Sequence, residues 1–202
     1  MLYCYIGLFS APLLYYYYMN IFSAYFEKPK NVFFASQEDN EDVLFVLRAS
    51  FITNVPWVVL TFIFLMLPYL YMVYVNNNPG FSLISPVQLE NSLIIVWYLI
   101  VVGYALERYI TWYFNIYIVT NKRLIDVDFK PLFIKRVSET NYEKIEDTSY
   151  QLSNFIQTIF NYGCVYVQTA AEKREFEFNN VPNPAKVQDV ISDYAHAAVK
   201  VN

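Results

Sequence analysis

Trp112-Tyr113-Phe114-Asn115-Ile116-Tyr117-Ile118-Val119-Thr120-Asn121-Lys122-Arg123-Leu124-Ile125-Asp126-Val127 is the stretch in which the chain changes solvent. Before it, apolar residues run without a period, as lipid demands. From Phe114 onward they alternate: Ile116 and Ile118 share a side, and after a tight Asn121-Lys122 connection so do Ile125, Val127 and Phe129. A period of two with a short turn is the pattern of a half-buried β-hairpin. Aromatic residues such as Tyr109, Trp112 and Tyr113 favour the lipid–water boundary, and Arg108 can extend its charged head toward water. Glu107–Arg108 therefore reads as the point of emergence from the bilayer, with a buried ion pair as the alternative.

Upstream, no Lys or Arg occurs between Arg48 and Arg108, and the only acids there are Glu90 and Glu107. The whole chain is 56% hydrophobic and 16% charged, against roughly 45–50% and about 25% in an ordinary soluble domain. Ala49–Val75 is uncharged and long enough to span, since about 20 apolar residues cross a bilayer. Its Pro56 and Pro68 are tolerated in lipid, where neighbours re-satisfy the freed carbonyls. A second span runs from about Ser92 to Tyr113. The polar loop Asn76–Asn91 between them holds no Lys or Arg. Arg48, Lys122, Arg123, Lys130, Lys135 and Arg136 lie on the other side, so the positive-inside bias places that side in the cytoplasm.

Leu2–Phe26 is a further apolar stretch, rich in tyrosine and without a secretory cleavage pattern. Spanning is the favoured reading; lying in the interface, or translation starting at Met19, are the alternatives. The chain thus divides into a hydrophobic N-terminal segment (1–30), a cytoplasmic juxtamembrane linker (31–48), a two-helix transmembrane hairpin (49–113) and a cytoplasmic domain (114–202). The acidic run Gln37-Glu38-Asp39-Asn40-Glu41-Asp42 in the linker reads as solvated.

In the cytoplasmic domain, a turn at Phe129-Lys130-Pro131 leads to a third strand, Leu132–Ser138. Asn141–Leu152 follows as strand or irregular chain, with Ile145 its best core residue. Ser153 caps a short helix carrying Phe155, Ile156, Ile159 and Phe160, which Gly163 ends. Strands bearing Val165, Val167 and Thr169, then Phe176 and Phe178, flank a turn at Ala170–Lys173. Asn183 caps and Pro184 opens a last helix. Its Val187, Val190, Ile191, Tyr194, Ala195 and Ala198 form one apolar stripe.

Several of these segments together resemble the bacterial pleckstrin-homology-like domains of the YdbS type. They are Trp112–Val127, Lys144-Ile145-Glu146-Asp147, and Phe160-Asn161-Tyr162-Gly163 leading to Val167-Gln168-Thr169-Ala170. Phe176-Glu177-Phe178, followed by Val181-Pro182 and the last helix, completes the set. The similarity covers roughly Val43 to Ala198, because such proteins place a two-helix membrane hairpin before the domain; the first 30 residues lie outside it. The resemblance implies two or three transmembrane helices followed by a small, bent, barrel-like sheet capped by a C-terminal helix. It leaves function open, since one fold serves many partners.

Composition excludes some functions. A net charge of −4 and a pI of about 5.0 disfavour nucleic acid, which demands a basic surface. Cys4 and Cys164 form no pairing pattern, and one histidine leaves no zinc or haem site. No cofactor is expected. Ser192, Asp193 and His196 share one exposed helical turn and lack the converging scaffold a nucleophile needs. No enzyme is indicated; a lipid-directed one would depend on Glu107. The basic turn Lys122–Arg123 matches the headgroup-gripping hairpin of eukaryotic relatives, but a seven-residue strand carries it about 20 Å from the membrane. Lys130, Lys135 and Arg136 are better placed to meet anionic lipid. The expected partners are the bilayer and a protein, recruited at strand edges or the helix–sheet groove, with a non-catalytic subunit of a transport or stress-response assembly as the alternative. Gly103 and Ala105 would permit close helix approach, including self-association.

Overall fold

The computed structural model describes residues 23–29, 34, 36–78, 87–130, 134–170 and 175–201. Residues 1–22, including Cys4 and most of the N-terminal apolar stretch, lie outside these. So do the middle of the inter-helix loop (79–86), most of the turn after Lys130 (131–133) and the turn at 171–174.

In chain order the elements are β1 (Tyr25–Glu27), β2 (Val43–Leu47), α1 (Val55–Asn77), α2 (Val87–Phe114), β3 (Ile116–Thr120), β4 (Arg123–Lys130) and β5 (Ile134–Asn141). A single 3₁₀ turn, Tyr142–Lys144, leads on to β6 (Ile145–Gln151), α3 (Phe155–Ile159), β7 (Tyr162–Thr169), β8 (Glu175–Pro182) and α4 (Pro184–Val201). Two antiparallel sheets result, β1-β2-β3-β4-β5 and β6-β7-β8.

Two expectations are corrected. Among the described residues no ladder joins the two sheets, so the barrel is not closed. And Val43–Leu47, read as linker, is an interior strand of the larger sheet: Leu47 pairs with Tyr117 and Val46 with Ile118. Its VLFVL sequence is apolar at every position because both faces are covered. Tyr25–Glu27, at the end of the N-terminal apolar stretch, pairs in turn with Phe45–Leu47. The two long helices are therefore inserted between neighbouring antiparallel strands of one sheet.

The main core lies between the sheets and α4, built from Phe45, Leu47, Tyr117, Val119, Leu124, Val165, Val167 and Phe178. The α4 stripe is as read from sequence: Val187, Ile191 and Ala195 are buried, and Val190, Tyr194 and Ala198 pack beside them. Each fully buried aliphatic side chain contributes about 1.5–3 kcal/mol. Ile116, Ile118, Ile125 and Val127 form the second cluster on the opposite sheet face, with Val46, Phe34 and Phe129.

Helices α1 and α2 are long and apolar enough to cross a membrane, and nearly all of their surface is uncovered. Helix α1 continues through Pro68. The missing amide frees the Phe64 carbonyl four residues back, and Trp97 Nε1 of α2 donates to it at 2.9 Å. The short helix α3 differs from expectation at both ends. Asn154, not Ser153, is its cap, accepting from the Gln157 amide. The chain turns out of it at Asn161, which adopts φ 48°, a conformation Asn tolerates. Gly163 belongs to β7 instead, where a Cβ would sit 2.4 Å from the Gln151 carbonyl oxygen.

Candidate functional site

The strands run alternately away from and toward the helical hairpin, so the domain has a hairpin end and a distal end. At the hairpin end, Arg48 follows β2 and is fully buried, its guanidinium 4.4 Å from the centre of the Tyr113 ring. Burial lowers its pKa to about 10, so it stays a cation at neutral pH. Trp112 is also buried: Nε1 donates to the Ala49 carbonyl at 2.8 Å, and its ring meets Phe51 edge-on at 6.0 Å. Of the expected interface residues, Trp112 and Tyr113 thus rivet the helices to the sheet. Tyr109 stacks on Tyr113 at 5.8 Å, and Arg108 lies outside, 3.8 Å from Glu107.

The basic residues of the returning hairpin separate. Lys130 ends β4 exposed at the hairpin end, beside the Phe114–Phe129 ring contact of 5.2 Å. Lys135 is opposite Phe129 in the ladder and joins that end. Arg136 pairs across from Asp128, on the face that carries Asp126. Burial, and then the neighbouring Asp128 charge, push the Asp126 carboxyl up to about 7; Arg136 acts the other way.

At the distal end, the turn between β3 and β4 is held by side chains. The Thr120 hydroxyl accepts from the Lys122 amide at 3.1 Å and the Arg123 amide at 3.0 Å. The acidic run read as solvated folds onto this turn. Glu41 is buried and accepts from Thr120 Oγ1 at 2.8 Å, from Arg123 Nε and Nη2 at 3.0 Å each, and from the Glu38 amide at 2.9 Å. Burial alone would raise the Glu41 pKa; these donors outweigh it and hold the group below its ordinary value. Arg123 also reaches Glu139 at 2.7 Å, and Lys122 reaches Glu38 at 3.2 Å. Asn121 Oδ1 accepts from the Asp42 amide at 2.9 Å. The cationic turn is therefore neutralised from within the chain.

Behind the turn opens a cleft of about 450 Å³, lined by Lys122, Arg123, Asn141, Tyr142, Tyr194 and Ala198 among others. Tyr142 stacks on Tyr194 at 5.5 Å and donates its hydroxyl to the Thr120 carbonyl. His196 is exposed on the outer side of α4. Among the described residues no group of three His, Cys, Asp or Glu side chains is placed to hold a metal ion.

Sequence reasoning missed Glu41, Thr120 and Glu139. The signal available was charge complementarity between an acidic run and a basic turn some eighty positions later, which one sequence does not connect. The other open surface is β5: it pairs with β4 on one side, has no strand partner on the other among the described residues, and exposes Ile134 and Val137.

No curated protein and no solved structure matches the chain. The family described as "Bacterial PH domain" matches residues 44–195. That span begins within β2, runs through both long helices and ends in α4, covering the strands on both sides of the insertion. The chain belongs to the bacterial PH domain family.

Proposed function

We propose that the protein is a membrane-anchored, non-catalytic binding module that recruits a protein partner to the cytoplasmic face of the cell membrane. The edge of β5 carries this reading: an eight-residue strand that has no strand partner on one side among the described residues and two exposed apolar side chains. Extended peptides add to such edges through main-chain hydrogen bonds, with side-chain contacts giving selectivity. The two long apolar helices supply the anchor, and the distribution of Lys and Arg supplies the orientation. The N-terminal stretch is read as a third span. In support, the Arg48 amide donates to the Ala24 carbonyl at 2.9 Å and Tyr25 pairs with Leu47, so the chain meets β1 at the hairpin end. Lys130 and Lys135 at that end face the anionic headgroups; Lys122 and Arg123 are occupied by their own acids.

A second reading, a subunit of a larger membrane assembly, is favoured by Gly103. A Cβ there would meet nothing within 4 Å, so this small residue is not used for packing α2 on α1 and is open to a partner helix. Purification of the full-length protein in mild detergent separates the two. Partner loss on Ile134→Lys with Val137→Lys, and retention on Gly103→Leu, is the expected result. The reverse pattern supports the assembly and refutes the edge.

A further inference from the structure

Helix α3 is amphipathic the wrong way round for water. Its polar Gln157 is buried, while Phe155, Ile156, Ile159 and Phe160 are 77%, 52%, 58% and 54% exposed. The four apolar residues recur at i, i+1, i+4 and i+5, one continuous face. Gln157 is held inward by bonds at both ends of its side chain: Oε1 accepts from the Ser153 amide, and Nε2 donates to Asn180 Oδ1 at 3.1 Å. The outward face is thus fixed by the fold. No Asp, Glu, Lys or Arg occurs from Thr148 to Ala171, so nothing charged stands near this face along the chain. Tyr150, nearby at the end of β6, is also exposed.

Position gives the face a meaning. The Asn180 carbonyl accepts from the Ser50 amide at 2.7 Å, and Phe51, next in sequence, begins the apolar span Phe51–Asn77. Through Gln157 and Asn180, α3 is therefore two hydrogen bonds from Ser50, the residue before the span, at the hairpin end of the smaller sheet. Phe51 and Val55, at the start of that span, are themselves 45% exposed each.

We propose that α3 is a membrane-inserting wedge, a lipid contact of the domain separate from the spanning helices. Phe155, Ile156, Ile159 and Phe160 sit at the boundary between headgroups and acyl chains, as apolar faces of interfacial helices do at about 5–10 Å depth. With the helical insertion at one sheet and α3 at the other, the domain stands on the bilayer in a fixed attitude. The wedge rests on the membrane-anchored reading above, and the test distinguishes the two.

Full-length protein with Cys4→Ser and Cys164→Ser carries single cysteines, one per sample, at Leu99→Cys, Ile156→Cys or Glu143→Cys. Each is labelled with an environment-sensitive fluorophore and reconstituted into phosphatidylcholine–phosphatidylglycerol vesicles containing spin-labelled lipid. The expected result is strong quenching at position 99 by mid-chain spin labels, and several-fold stronger quenching at position 156 than at the distal position 143 by shallow ones. Adding Phe155→Ser and Ile159→Ser should lower the quenching at 156 toward the level of 143. If 99 is quenched and 156 matches 143, the wedge is wrong and the anchor stands. If 99 is not quenched, the anchor itself fails. Protection of 156 from aqueous iodide without quenching by lipid means that protein covers the face, which also overturns the wedge.

Discussion

Replacing Glu41 by Ala tests whether the acidic run is a structural clamp or a solvated tether. The Glu41 side chain is fully buried and its carboxylate receives four donors, two from Arg123, whose side chain is itself only 12% exposed. Removing one partner of a buried ion pair costs about 3–5 kcal/mol when the other is left unpaired. Here Arg123 keeps Glu139 at 2.7 Å, which lowers the expectation to about 2–4 kcal/mol. Urea unfolding of the full-length protein in lipid nanodiscs, read by pulse proteolysis, reports on the domain. With a urea dependence of about 1–3 kcal/mol per molar, the midpoint should fall by about 1–2 M. Glu41→Gln keeps an acceptor for Thr120 and should lose less. Because the Glu41 pKa is lowered on folding, its contribution is present above its ordinary value of 4.5 and is lost as pH falls through the folded value. The advantage of wild type over Glu41→Ala should therefore shrink on acidification. A midpoint change under about 0.3 M at pH 7 would mean that these contacts behave as surface ion pairs, worth about 0–1 kcal/mol, and the clamp would be discarded.

Asp126 should act with the opposite sign. Its carboxyl rises from 3.8 to about 7 on folding, so stability falls as pH climbs through that window, and Asp126→Asn should flatten the profile; an unchanged pH–stability curve would refute the assignment. Trp97→Phe leaves the Phe64 carbonyl without its 2.9 Å donor beside Pro68. In lipid that costs about 0.6–2 kcal/mol of helix pairing, measurable as faster hydrogen exchange in α1 around Pro68. Gly163→Ala places a methyl 2.4 Å from the Gln151 carbonyl oxygen and should cost about 1–3 kcal/mol, seen as a lower midpoint in the same urea assay. Deleting residues 1–22 and replacing residues 49–114 by a short turn, with Arg48→Met so that no buried cation is left unsupported, should yield a soluble folded domain. Amide NMR dispersion checks it, and an aggregated or unfolded product would show that the helices are part of the domain's core.

Much of the domain was legible because its signals are local. The apolar stripe of α4, the alternation in β3 and β4, and the shared face of Ile116, Ile118, Ile125 and Val127 each follow from a period of 3.6 or 2. The assignment of β2 was not legible. Val43–Leu47 is five apolar residues beside an acidic run, and what makes it a strand is Ile116–Thr120 on the far side of two helices. The clamp was hidden for the same reason: Glu41 reads as one more solvated acid until the sheet brings Arg123 beside it. Trp112 was read from the habit of aromatics to sit at interfaces, but a rivet partner, the Ala49 carbonyl, lay sixty-three positions away. The edges of α3 were misplaced because Asn serves as both its cap and its exit, where Ser and Gly are the stronger sequence cues.

Since α1 and α2 occupy what would otherwise be the tight connection between two neighbouring strands, translation order and sheet assembly are tied together. On emergence from the ribosome, β2 has no β3 to pair with until both helices have been made. Seating the helices side by side brings the exit of β2 and the entry of β3 to within one indole's reach, Trp112 to Ala49. Integration into lipid would thus supply the loop closure that a soluble sheet must achieve by diffusion. A nascent chain whose hairpin fails to insert would keep β2 as an apolar ribbon paired with β1 alone, its other edge ready for capture by quality control.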